Sequence, residues 1–141
     1  MDITEALQKE KKIRMNREKQ HLILVVDFDG TICEHSFPEV GKMKPKADHF
    51  INKLFNEGHE IVINTCRSGI YEGLAETFLR ENKIHFHYIN SNMPHLIEQY
   101  GQDCRKISGD IYIDDKCLMG LPDTWEEIYN IIQEKKKTIL G

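Results

Sequence analysis

The feature that most constrains this chain is an apolar run that stops on two carboxylates. Residues 22–30 read LILVVDFDG. Leu22 to Val26 are apolar on both faces, which an extended segment tolerates only when both faces are covered, as in a central parallel strand. The run then ends at Asp27 and Asp29. Period two sends both side chains to one side of an extended backbone. Like charges that close repel, and the repulsion grows as the surroundings become less polar. Either a cation lies between them or a proton is held there. Both answers point to chemistry.

The rest of the chain alternates between strand and helix patterns. Residues 3–20 read as a charged helix with a thin apolar set, Ile3, Leu7 and Ile13. Pro45 opens a helix whose Ala47, Phe50, Ile51, Leu54 and Phe55 follow helical spacing, with Gly58 as its stop. EIVIN, Glu60 to Asn64, is a second strand, followed by a helix from about Tyr71 to Asn82. HFHYIN, residues 85–90, reads as strand three, Pro94 to Tyr100 as a short helix, and IYI, residues 111–113, as strand four. Thr124 and Glu127 form a capping box that opens the last helix, with Trp125, Ile128, Tyr129, Ile131 and Ile132 as its buried face. This order predicts a Rossmann-like, doubly wound parallel α/β sheet in residues 21–141, with 1–20 as a charged N-terminal helix or tail.

In such sheets ligands bind beyond the carboxyl ends of the strands. The polar groups expected there are Asp27 and Asp29, Thr65 and Arg67, and Asp114 and Asp115. Four carboxylates at one edge make an oxygen site for a hard cation, which suits Mg²⁺. Such a cation would neutralise Asp27 and leave the Asp29 side chain free to hold or release a proton. The Thr65 hydroxyl and the cations Arg67, Arg105 and Lys106 suit the oxygens of a transferring phosphoryl group. Gly30 lets the backbone turn sharply, and Thr31 is placed to hydrogen-bond back to Asp27. No glycine-rich nucleotide cradle is present.

Charge and cysteine usage narrow the class. The chain has 141 residues, a formal charge of −4 and a pI near 6.0, which disfavours a protein built mainly to bind nucleic acid. Residues 1–20 hold six Lys/Arg and four Asp/Glu of the chain's 19 and 23, leaving 13 against 19 in the remainder. Cys33, Cys66, Cys104 and Cys117 lack the spacing of a disulfide framework, and no stretch reads as a membrane span or an apolar signal, so a cytoplasmic protein with reduced thiols is expected. His85 and His87 alternate onto one strand face, and we read them as ordinary strand histidines rather than zinc ligands.

With these residues in place, a resemblance is visible. DFDGTI resembles the first motif of the haloacid dehalogenase superfamily, INTCRSG its second, Lys106 the lysine of its third, and IYIDD the acidic pair of its fourth. The resemblance implies an aspartyl-phosphate mechanism in which Asp27 is the nucleophile and Asp29 the acid and then the base. Mg²⁺ would be held by an Asp27 oxygen, the Asp29 carbonyl and the Asp114–Asp115 pair, with Asp115 favoured as the direct ligand. Thr65 would bond a phosphoryl oxygen, and Lys106 would steady Asp27 and the transferring group. Arg67 is an added candidate for phosphate or substrate contact. Asp29 itself favours phosphatase or phosphotransferase over carbon–halogen cleavage.

Neither segment where that superfamily carries a cap, Thr31 to Lys44 or Ser91 to Arg105, is long enough for one. A capless phosphomonoester hydrolase is therefore expected, with the 33–44 loop as a flap whose Glu34, His35 and Lys42 lie beside the leaving group. An open site of this kind takes a macromolecular phosphate or a small substrate closed over by a neighbouring subunit, so a homo-oligomer is compatible with it. Transfer to another acceptor, action on nucleic-acid ends with 1–20 as a backbone clamp, and non-catalytic phosphate binding are the rival readings.

Overall fold

The computed structural model describes residues 2–18 and 21–141, with side chains for 2–11 and 21–141. Its elements in chain order are α1 (Ile3–Glu18), β1 (Ile23–Asp27), α2 (Ala47–Asn56), β2 (Glu60–Asn64), α3 (Gly69–Glu81), β3 (Tyr88–Ile89), α4 (Pro94–Tyr100), β4 (Ile111–Ile113) and α5 (Trp125–Leu140). The last two residues of the expected N-terminal helix, Lys19 and Gln20, lie outside the described residues. No helix among those described is long and apolar enough to cross a membrane.

The four strands form one parallel sheet in the order β3-β2-β1-β4. Alternation along β1 decides which helices cover which face. Leu22, Leu24, Val26 and Phe28 pack with Ile61 and Ile63 against α2, α3 and α5, through Phe50, Ile51, Leu54, Leu79, Trp125, Ile128 and Ile132. Ile23 and Val25 pack on the other face with Val62, Met93, Leu96 and Ile107, around α4. Helices on both faces make this a doubly wound α/β fold of the Rossmann type. The chain steps outward from β1 to β2 to β3, then crosses back over α4 to β4. The winding reverses between β1 and β4, the point at which open α/β sheets bind their ligands. In the ladder Asp27 lies opposite Asn64, and Val26 opposite Ile113, so Asp114 leaves β4 level with Asp27.

Two elements differ from expectation. Strand three is two residues long rather than six. It is the sheet's edge, and before it the His87 amide still donates to the Ile61 carbonyl (2.8 Å), while side chains make the other bonds of His85 and His87. The Asn52 Oδ1 accepts from the His85 amide (2.8 Å), and the His87 Nδ1 accepts from the Ile61 amide (2.9 Å). Both imidazoles lie against Phe55, as expected of ordinary histidines. Helix α2 begins at Ala47, because Lys46 adopts a left-handed conformation (φ 62°) after Pro45. The capping box is present in part, with the Thr124 Oγ1 accepting from the Glu127 amide at 3.2 Å. The connections 28–46 and 90–110 hold no folded insert beyond α4.

Candidate functional site

The site is built from the ends of β1 and β4. Asp27, Asp114 and Asp115 each offer a carboxylate oxygen within 4.8 Å of the others. The Thr31 hydroxyl ties two of them together. It donates to the Asp27 Oδ2 (3.0 Å) and accepts from the Asp115 amide (3.1 Å). Thr31 is itself fully buried, and its carbonyl accepts from the Trp125 indole at the start of α5 (3.1 Å). The expected Thr31–Asp27 bond is therefore present, and it reaches further than the sequence suggested.

The electrostatics of this cluster favour a positive charge. Burial, then the neighbouring Asp115 and Asp114 carboxylates, push Asp27 from 3.8 up to about 7, against a lowering by Thr31. Burial would raise Asp115 as well, but hydrogen bonds from His35 and Asp27 hold it below its ordinary value. The Asp115 Oδ1 is buried without a hydrogen-bond partner. An orphaned buried carboxylate oxygen costs free energy unless something outside the protein meets it. A hard divalent cation fits this donor set.

His35 of the flap reaches the same carboxylate, with its Nε2 2.9 Å from the Asp115 Oδ2. Gly30 makes that approach feasible. Its φ is +86°, and a Cβ there would stand 2.2 Å from the His35 Nε2 and 2.4 Å from the Asp115 Oδ2. The flap is closed at its base by the Glu34 amide on the Lys42 carbonyl (2.9 Å) and the Lys44 amide on the Ile32 carbonyl (2.8 Å). The Lys44 Nζ donates to the Gly30 carbonyl, a contact that no motif in the chain announces.

Asp29 and Arg67 are brought together, but not as expected. The Arg67 Nε and Nη2 donate to the two Asp29 oxygens at 2.7 and 2.8 Å. Its remaining donors go to the carbonyls of Glu39 (2.7 Å), Pro38 (2.9 Å) and, at a long 3.5 Å, Tyr71. The residue is 3% exposed. A guanidinium has five N–H groups, and all five are engaged within the protein. Arg67 therefore has no donor left for a phosphate, which corrects its assignment as a substrate contact. The Asp29 side chain is likewise clamped rather than free.

Thr65 sits at the end of β2. Its amide donates to the Asn90 Oδ1 (2.8 Å), and its Oγ1 accepts from the Arg67 amide (3.1 Å), which leaves the hydroxyl proton available. Asn90, with φ 52° at the end of β3, was not singled out from the sequence; its mark is a polar residue ending the strand beside Thr65. Lys106 is placed differently from expectation. Buried Asn92 pins its loop through Asp103, the Cys104 carbonyl and the Ser108 amide. Ile107 is buried, and its carbonyl accepts from the Tyr112 hydroxyl, so Lys106 is turned outward with its Nζ 5.4 Å from the Tyr112 ring centre. Neither a hydrogen bond nor an ion pair joins it to Asp27 or Asp114. Arg105, Glu34 and Lys42 are exposed.

No family model and no curated protein matches the chain. Among solved structures, a conserved protein coded by a locus of Bacteroides thetaiotaomicron matches 82% of this chain and 93% of its own, with 34% sequence identity and a TM-score of 0.74. The two chains belong to one family. Agreement at that level over nearly the whole of the Bacteroides protein supports the parallel α/β architecture described above.

Proposed function

We propose that this chain is a Mg²⁺-dependent phosphomonoester hydrolase that works through a phosphorylated Asp27. The observation that carries the reading is the Asp27, Asp114 and Asp115 cluster, with its buried, unpartnered oxygen, at the point where the winding of the sheet reverses. Asp27, Asp114 and Asp115 would hold the cation, together with the Asp29 carbonyl that the resemblance to the haloacid dehalogenase superfamily assigns to it. Bound there, Mg²⁺ would neutralise carboxylate charge and stabilise charge on the phosphoryl oxygens.

The protein's own groups divide the remaining work. Thr31 fixes the Asp27 rotamer through the 3.0 Å bond to Oδ2 and leaves Oδ1 to attack phosphorus. Asp29, oriented by both arms of Arg67, is the group assigned to protonate the leaving oxygen and then to take a proton from the attacking water. The free Thr65 hydroxyl proton would serve a phosphoryl oxygen. Lys106, which the resemblance assigns to neutralising the transferring group, would have to swing inward from the Tyr112 ring to do so. The connections around the site hold no domain, which supports a capless enzyme with an open mouth.

The test is phosphate release from a panel of phosphomonoesters, with and without Mg²⁺, beside Asp27→Asn. Mg²⁺-dependent release lost by at least about a thousandfold in the variant is expected. Comparable release by Asp27→Asn would remove Asp27 as nucleophile.

A further inference from the structure

The groups that lead outward from Asp29 are aromatic and held in place. The Phe37 ring centre lies 5.1 Å from the Arg67 guanidinium carbon, and the buried Phe28 ring lies 5.6 Å from it. Tyr71, in the first turn of α3, packs against Phe37 with ring centres 5.3 Å apart and planes tilted by 53°. Phe37 is 60% exposed and Tyr71 39%. Exposed aromatic side chains on a loop normally lose freedom when something covers them. These two have little to lose, because Arg67 fastens the flap tip through the Pro38 and Glu39 carbonyls and reaches the Tyr71 carbonyl as well. Ile70 and Leu74, also exposed, extend the apolar surface along the same helix.

Beyond the Arg67–Asp29 pair the surface therefore presents two packed, exposed aromatic rings. Arg67 itself offers nothing to a sugar or polyol there, since its donors are all engaged. We propose that Phe37 and Tyr71 form the leaving-group subsite, and that the substrate is a phosphomonoester whose alcohol carries a planar aromatic group. This inference rests on the hydrolase reading for its chemistry, since Asp29 marks where the leaving oxygen departs. An aromatic group laid on the open face of Phe37 gains stacking and removes apolar surface from water.

The test compares 2-phenylethyl phosphate with n-propyl phosphate. Both are esters of primary alcohols, so the difference reads contact rather than leaving-group acidity. Two quantities are measured: kcat/KM of the wild type, and the Kd of each ester by calorimetry on Asp27→Asn with Mg²⁺. A preference of about tenfold for the aromatic ester is expected in both. Phe37→Ala should bring it to within about twofold, and Phe37→Tyr should keep it; the side chain is exposed enough for both variants to fold. Equal values for the two esters, no binding of either, or an undiminished preference in Phe37→Ala would overturn the subsite. Preferential binding of the aromatic ester without hydrolysis of either ester would instead overturn the hydrolase reading and leave the subsite standing.

Discussion

Asp27 concentrates the cost of the site in one side chain, and the sign of that cost can be measured. Its carboxyl titrates near 7 in the fold against 3.8 in an unfolded chain, chiefly because it is buried beside two other carboxylates. A raised value means that the fold holds the proton more tightly than the unfolded chain does. The resulting stability is full below about pH 4 and is lost as pH climbs through 7. The cation-free protein should therefore melt several degrees lower at pH 8 than at pH 5, ~5 °C for a domain of this size. Asp27→Asn should flatten that slope, and Mg²⁺ should raise the melting temperature more at pH 8 than at pH 5. An unchanged slope in Asp27→Asn would assign the effect to other groups. Gly30 is the second sensitive position. Gly30→Ala forces a Cβ onto His35 and Asp115 at a left-handed φ, and it should weaken Mg²⁺ binding at least tenfold in calorimetry. Unaltered affinity would mean that the pair relaxes without disturbing the cation site.

At the level of elements, the flap behaves as part of the fold because one buried arginine holds it. Arg67→Lys keeps the charge but loses the fork that meets both Asp29 oxygens and two flap carbonyls. A loss of about 3 kcal/mol is expected in urea denaturation, together with faster exchange of the Glu34 and Lys44 amides that close the base of the flap. Full stability with unchanged exchange would show that the flap stands without Arg67. None of this was legible in INTCRSG, where an arginine beside a hydroxyl at a strand end reads equally well as a phosphate ligand. Sequence adjacency places a side chain at the edge but not its direction, and the direction here is set by carbonyls from a loop about 28 residues away. Strand three was misjudged for a related reason. HFHYIN has the right period, but at the sheet edge the Ile61 amide goes to the His87 imidazole and the His85 amide to Asn52, and only the His87 amide keeps a backbone bond to β2 there.

Across the whole molecule, the parts readable in advance were those fixed by periodicity. An apolar run on both faces placed β1 centrally, and the alternation of strands and helices predicted a doubly wound sheet with Asp27 and Asp114 at the carboxyl ends of neighbouring strands. What periodicity could not supply was the long-range tie at Thr31, which bonds Asp27, the Asp115 amide and the Trp125 indole at once. Trp125→Phe removes only the indole donor and should lower stability by about 1 kcal/mol, with a measurable loss of Mg²⁺ affinity transmitted through Thr31. Unchanged affinity would show that α5 supports the fold but not the site. The same tie has a consequence for the chain during its synthesis. Trp125 follows Thr31 by 94 residues, and Asp115 follows it by 84. A nascent chain on the ribosome exposes Asp27 early, yet it lacks the carboxylates and the brace that complete the candidate cation site until β4 and the start of α5 have emerged. On the proposed reading, Mg²⁺ capture would mark the moment at which the polypeptide has closed on itself.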